Sequence, residues 1–267
     1  MRVSIDKAKW WETPFAAFIF FTRLPFWRLH QPPQHCYKHV VEYWPLTGWL
    51  TGGLMGATVY FVGQYASVTL AVLIAIALRM LVTGAIHEDG LTDFFDGFGG
   101  GGNDRQRILD IMKDSRIGTY GVLGLGMYLA LFVASMTSTE PSLLALMMVA
   151  ADPFCKMLSA QIIMFLPYAR NEEEAKAKTV YVKYNLVAGI RLAIAGLLPM
   201  VGFGYFLVEY YGMQVSQIQM AISFPCLCFY GLYMLMNKKL HGYTGDCCGA
   251  LFLLVELSFY LAFVIMR

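Results

Sequence analysis

His87–Gly121 reads HEDGLTDFFDGFGGGGNDRQRILDIMKDSRIGTYG, a stretch that sets six aspartates and one glutamate into a chain that is 58% hydrophobic. Asp89, Asp93 and Asp96 fall at i, i+4 and i+7. That spacing puts all three on one face of a helix. Asp110 and Asp114 repeat the i, i+4 spacing on what reads as the next helix. Like charges so placed cost a helix about 0.2–0.5 kcal/mol per pair, and a divalent cation is the usual agent that offsets the repulsion. Oxygen donors without clustered His or Cys point to Mg²⁺ or Mn²⁺, not zinc. A plain solvated loop is the alternative. The helical register of the acids, and their direct abutment on an apolar run, weigh against it.

Outward from this stretch the chain is apolar. It has 267 residues, 14% charged and 15% aromatic, and a mean hydropathy of +0.54. These values describe a polytopic membrane protein. The net charge of +2 is unclustered and implies no nucleic-acid partner. Apolar runs at roughly 45–65, 67–86, 118–138, 142–167, 187–210, 215–236 and 247–266 are each long enough to span a bilayer. The expected fold is therefore all-α: a membrane bundle of about seven transmembrane helices. Phe15–Phe21 is too short to span and, with Arg23 behind it, is not a cleavable signal. Its aromatics, together with Arg2, Lys7, Lys9, Arg23 and Arg28, suit an N-terminal amphipathic helix lying in the interface. The whole chain reads as one domain, with residues 1–40 interfacial and 87–117 an acidic metal-binding region. Alternate connections carry the cations: Arg105, Arg107, Lys113 and Arg116; Arg170, Lys176, Lys178 and Lys183; Lys238 and Lys239. The other connections carry none, so the acidic stretch is expected on the cytoplasmic side.

Charges inside the apolar runs are costly and therefore informative. Arg79 reads either as snorkelling to the cytoplasmic edge or as reaching a phosphate. Asp152 and Lys156, at i, i+4, read as an ion pair or a cavity lining, and Glu256 as facing inward. Arg105, Arg107, Lys113 and Arg116 bring cations beside the aspartates, and guanidinium suits phosphate recognition. Gly99–Gly102 reads as a hinge or a plain turn. The island Gly242–Asp246 opens the last run and would bring Asp246 to the acidic cluster if the flanking helices converge. The six cysteines show no disulfide or zinc spacing and read as buried thiols. His35 and His39 beside Cys36 read as structural. Together these features suggest metal-assisted transfer involving a phosphate or pyrophosphate, without a Walker loop.

The motifs resemble the cobalamin synthase family, the adenosylcobinamide-GDP ribazoletransferases. The likeness is carried by His87, Asp89-Gly90-Leu91, Asp93 and Asp96-Gly97, then by Met112–Gly121. It extends to Thr22–Pro25, Pro45–Gly48 and Gly245-Asp246 with Gly249-Ala250. The resemblance implies Mg²⁺-dependent joining of adenosylcobinamide-GDP to α-ribazole or its 5′-phosphate, releasing GMP, in a multi-pass protein of the cell inner membrane. Asp89, Asp93, Asp96 and Asp114 are then the expected metal ligands, and Arg79, Arg105, Arg107, Lys113 and Arg116 the phosphate contacts. The implied partners are these small molecules and the bilayer, with room for homo-oligomers or other cobalamin-assembly enzymes. The base is open between His87, Asp110, Asp114 and Asp246. His87 has an ordinary pKa of about 6.5, and orienting or packing roles suit it as well. Glu88 stands where the family often has an apolar residue, and Leu253 where a glutamate is common. A more distant likeness is to CDP-alcohol phosphotransferases. Asp93, Asp96, Gly97 and Asp114 match their signature, but Gly100, Gly101, Asp110 and Gly118 break it. That class, prenyltransferases and cation transporters are the alternatives. Transporters place their acids near mid-membrane, unlike this edge cluster.

Overall fold

The structure, a computed structural model, describes residues 9–170 and 180–266. The described residues are helical, with one isolated backbone bridge between Tyr168 and Tyr243. Helix α1 is Glu12–Phe21. Two 3₁₀ segments, Phe26–Arg28 and Gln34–Tyr43, lead into α2, Trp44–Val62. Then come α3 (Val68–Thr83), α4 (Ile86–Gly100), α5 (Arg105–Lys113), α6 (Thr119–Thr137) and α7 (Pro141–Ala160), which continues as α8 (Ile162–Phe165). Helices α9 (Leu186–Tyr211), α10 (Val215–Leu240) and α11 (Gly245–Met266) complete the bundle.

Five segments are long and apolar enough to cross a membrane: α6, α7 with α8, α9, α10 and α11. The count of about seven needs two corrections. The run at 67–86 stops at Thr83, and the chain turns through 92° into α4, so α3 and α4 count as a span only as a bent pair. The run at 45–65 does form the 19-residue α2, but its glycines, threonines and tryptophans leave it short of the apolarity of a span. It uses small residues instead. A β carbon on Gly48, Gly52 or Gly56 would lie 2.8, 2.5 or 2.6 Å from α7 atoms. Spaced four apart, these glycines let the two backbones touch, as small residues do in membrane helix pairs.

Helix α11 sits centrally, against α4, α6, α7 and α10, and is buried along most of its length. The outward faces of α6, α9 and α10 are apolar, with Leu123, Val201 and Leu227 exposed. This inside-out distribution suits a hydrocarbon surrounding. The in-span charges neutralise one another. Arg79 donates to both Glu256 carboxylate oxygens, at 3.0 and 2.7 Å, and to the Tyr128 hydroxyl at 3.0 Å. Lys156 Nζ lies 2.5 Å from Asp152, whose other oxygen accepts from Thr51 at 2.6 Å. Arg79 is thus spent inside the bundle, because an unpaired guanidinium there is costly.

Candidate active site

The bend between α3 and α4 aims the acidic helix. Gly84 and Ala85 both take left-handed backbone conformations, at φ 67° and 55°. Gly84 is required there twice over, since a β carbon on it would lie 2.3 Å from Arg23 Nε. The Arg23 amide donates to the Val82 carbonyl at 2.6 Å and ties the N-terminal segment to this corner.

Asp89, Asp93 and Asp96 lie on one helix, in the expected register, but they do different work. Asp96 is buried and accepts the backbone N–H groups of Gly118 at 2.7 Å and Gly121 at 2.8 Å. It caps the start of α6 from another helix, meeting the positive end of that helix dipole. A β carbon on either glycine would lie 2.4 Å from the carboxylate, which explains the glycine spacing in Ile117–Gly121. Asp114 is held by Arg116, whose Nη2 donates at 2.7 Å and whose backbone N–H donates at 3.0 Å. This pairing lowers the Asp114 carboxyl to about 2. Among the described residues, no three His, Cys, Asp or Glu side chains are grouped to hold a metal. Of the four aspartates expected as ligands, Asp96 caps α6 and Asp114 pairs with Arg116.

What converges is Asp89 with Asp246. Both line a cavity of about 250 Å³ walled by Phe20, Phe21, Trp44, Tyr168 and Tyr181. Helices α4 and α11 meet at glycines: a β carbon on Gly90 would lie 2.9 Å from the Asp246 carbonyl, and one on Gly249 3.2 Å from His87. Asp93 stands one turn beyond Asp89. Mg²⁺ is commonly bound by one or two carboxylates together with substrate phosphates, not by an all-protein cage. The oxygen donors of Asp89 and Asp246 fit that mode.

His87 also lines this cavity; it is buried against Trp44, Phe21 and Phe252, and its Nε2 has no hydrogen-bond partner among the described residues. Glu88 turns inward, buried, with one oxygen 3.8 Å from Arg79. Burial pushes Tyr168 up to about 12.

Arg105, Lys113 and Asp110 line a second, polar cavity of about 270 Å³, together with Arg170. Arg105 donates to the carbonyls of Leu240 at 2.8 Å and Ala169 at 2.6 Å, and Lys239 donates to the Gly102 carbonyl at 2.8 Å. These bonds gather the basic connections at the acidic end of the bundle; Arg2, Lys7, Lys176 and Lys178 lie outside the described residues. Arg107 is exposed. The Gly99–Gly102 run is no hinge. Helix α4 continues to Gly100, and a β carbon on Gly101 would lie 2.4 Å from Ile108 on α5.

The sequence reading missed the aromatic walls, placed Arg170 only among the basic residues of one side, and gave Arg23 no site role beyond its basic segment and the Thr22–Pro25 motif. Arg170 lines both cavities, and Arg23 lines a cleft on the far side of Asp89. Aromatic density before residue 45 was the available signal, and it equally suits interfacial anchoring.

The fold and this site define a polytopic membrane enzyme whose polar machinery sits at one end of the bundle. Comparison with known proteins narrows the class. The family model described as cobalamin-5-phosphate synthase matches residues 13–264. The adenosylcobinamide-GDP ribazoletransferase of Leptospira interrogans (serovar copenhageni) is 29% identical over 258 residues, covering 96% of each chain. That of Shewanella pealeana is 29% identical over 255 residues, 94% of each chain. That of Pseudoalteromonas atlantica is 32% identical over 253 residues, 93% of this chain and 89% of its own. No solved structure matches the chain significantly. The chain belongs to the cobalamin-5-phosphate synthase family and is a transferase of the final assembly step of cobalamin.

Proposed function

We propose that the chain transfers the adenosylcobinamide-phosphate group of adenosylcobinamide-GDP to α-ribazole or its 5′-phosphate, with Mg²⁺, at the cytoplasmic face of the cell inner membrane. The observation that carries this reading is the convergence of Asp89 and Asp246, from two helices, on one aromatic-walled cavity. A hydroxyl oxygen of the acceptor ribose forms a P–O bond to the phosphorus that bears the cobinamide arm. The bond from that phosphorus to the oxygen bridging to GMP breaks, and GMP leaves with the bridging oxygen. The product is adenosylcobalamin or its 5′-phosphate.

Asp89, Asp246 and Asp93 would hold the cation. Bound Mg²⁺ supplies neutralisation of the phosphoryl oxygens and orients the attacking and leaving groups. The aromatic walls exclude water and bind the flat part of the acceptor. The hydroxyl proton goes to a group on the same wall, where His87 and Asp246 stand. Asp114 is a poor acceptor because Arg116 holds it ionised, and Asp110 faces the other cavity. Cations gathered at the acidic end support a cytoplasmic placement.

The test is purified protein with both substrates. GMP and the corrinoid product should appear in equal amounts with Mg²⁺, and both should stop on chelation. Turnover that persists in excess chelator would contradict the metal's role.

A further inference from the structure

Glu88 lies in the first turn of α4, immediately before Asp89, and only 4% of it is exposed. Both its carboxylate oxygens are buried and accept no hydrogen bond from any described residue. The buried charges around it do not cancel. Arg79 pairs with Glu256 at 2.7 Å, and Lys156 pairs with Asp152 at 2.5 Å. Arg79 reaches Glu88 only at 3.8 Å, with a guanidinium that already donates to Glu256 and Tyr128. These five buried side chains therefore set two cations against three carboxylates, and the surplus negative charge belongs to Glu88. The positive end of α4 favours that charge without neutralising it. A buried carboxylate with no counter-ion of its own is costly, and such a departure from good packing is expected where function uses it.

The use is visible in what lies beside it. Glu88 and Asp89 line one cleft of about 490 Å³, and Asp89 also lines the aromatic cavity with Asp246. Glu88 thus backs the carboxylate that meets Asp246. Its own oxygens are sealed, so it cannot coordinate an ion there. Its field still reaches the site, because attraction across a few ångströms of buried protein is weakly screened. Arg23 lines the same cleft but is exposed, where water screens its charge. Two carboxylates are a sparse ligand set for Mg²⁺. A third charge behind them adds attraction and leaves the coordination positions open for substrate phosphate.

We propose that Glu88 is a positioning residue for the divalent cation: acting through space from behind Asp89, it raises the affinity of the Asp89–Asp246 pair and never touches the ion. This inference rests on the metal-dependent transfer proposed above.

Glu88→Gln keeps the shape and removes the charge. Full-length protein in detergent is titrated with Mn²⁺ as the probe, without substrates, and free Mn²⁺ is followed by electron paramagnetic resonance. Glu88→Gln should bind Mn²⁺ about ten-fold more weakly than the unaltered protein. Glu88→Asp should restore most of the affinity. The metal-free melting midpoint of Glu88→Gln should hold or rise, since an unbalanced buried charge is removed. In GMP release, Glu88→Gln should need about ten-fold more Mg²⁺ for half-saturation, with the rate at saturating Mg²⁺ and both substrate KM values unchanged. Equal metal affinity in Glu88→Gln and the unaltered protein overturns the inference. So does a lowered metal-free midpoint or a rate loss that saturating Mg²⁺ does not restore, since either marks a merely structural role. If Mn²⁺ affinity falls as expected but GMP never appears, the role of Glu88 stands and the transfer reading fails.

Discussion

Asp89 and Asp96 share a helix face and a chemistry, yet the structure gives them opposite roles, and substitution separates them. Asp96→Ala leaves the Gly118 and Gly121 N–H groups buried without an acceptor. It should cost about 1–3 kcal/mol and lower the melting midpoint in detergent. Asp89→Ala should abolish turnover and leave that midpoint in place, since Asp89 is exposed. Equal melting losses in the two variants would dissolve the distinction. Asp114 gives the pH prediction. Arg116 lowers its carboxyl from 3.8 to about 2. Its contribution is therefore fully present above about pH 4 and is lost only as pH falls toward 2. Asp114→Asn should keep whatever acidic limb the pH–rate profile shows above pH 5. Disappearance of that limb would make Asp114 the titrating group. The register of Asp89, Asp93 and Asp96 was legible from spacing alone. The capping role of Asp96 was not, because it depends on where α5 returns the chain. The glycines at 118 and 121 were visible, but their partner lies more than twenty residues earlier.

Two elements were misjudged by apolarity, for related reasons. Hydropathy joins Leu81 to Ile86 into one run, but the consecutive left-handed residues Gly84 and Ala85 turn α4 across α3. Ala85 carries a side chain in a conformation that costs an L-residue roughly 1–2 kcal/mol. Ala85→Gly should accordingly hold or raise the melting midpoint, and Gly84→Ala should lower it. The reverse order would mean the bend is relaxed in solution. Helix α2 was legible as a helix, but its function as a small-residue partner of α7 was not read from Gly48, Gly52 and Gly56. That pattern needs the facing backbone of Met148 and Ala145 to become meaningful.

At the scale of the molecule, charge organisation was the most legible feature. The basic connections do gather at one end, and the four in-span charges do find partners, Arg79 with Glu256 and Lys156 with Asp152. Glu256→Gln should remove the closer counter-charge of buried Arg79, leaving Glu88 at 3.8 Å, and cost about 3 kcal/mol. Replacing both residues with Met should recover most of the loss, and a double variant no better than the single would deny the pair its structural role. The aromatic cavity was not legible, since its walls come from α1, the first residue of α2 and the loops around Tyr168 and Tyr181, which only the folded bundle brings together.

The central claim is that the Asp89 end of this bundle performs metal-dependent transfer, and a Mg²⁺ titration of GMP release addresses it most directly. Unaltered protein should release GMP in step with corrinoid product, rising saturably with Mg²⁺. Asp89→Asn should fold normally and show turnover reduced by at least about 10²-fold at every Mg²⁺ concentration. GMP release by Asp89→Asn at the unaltered rate and with the same Mg²⁺ dependence would contradict the account.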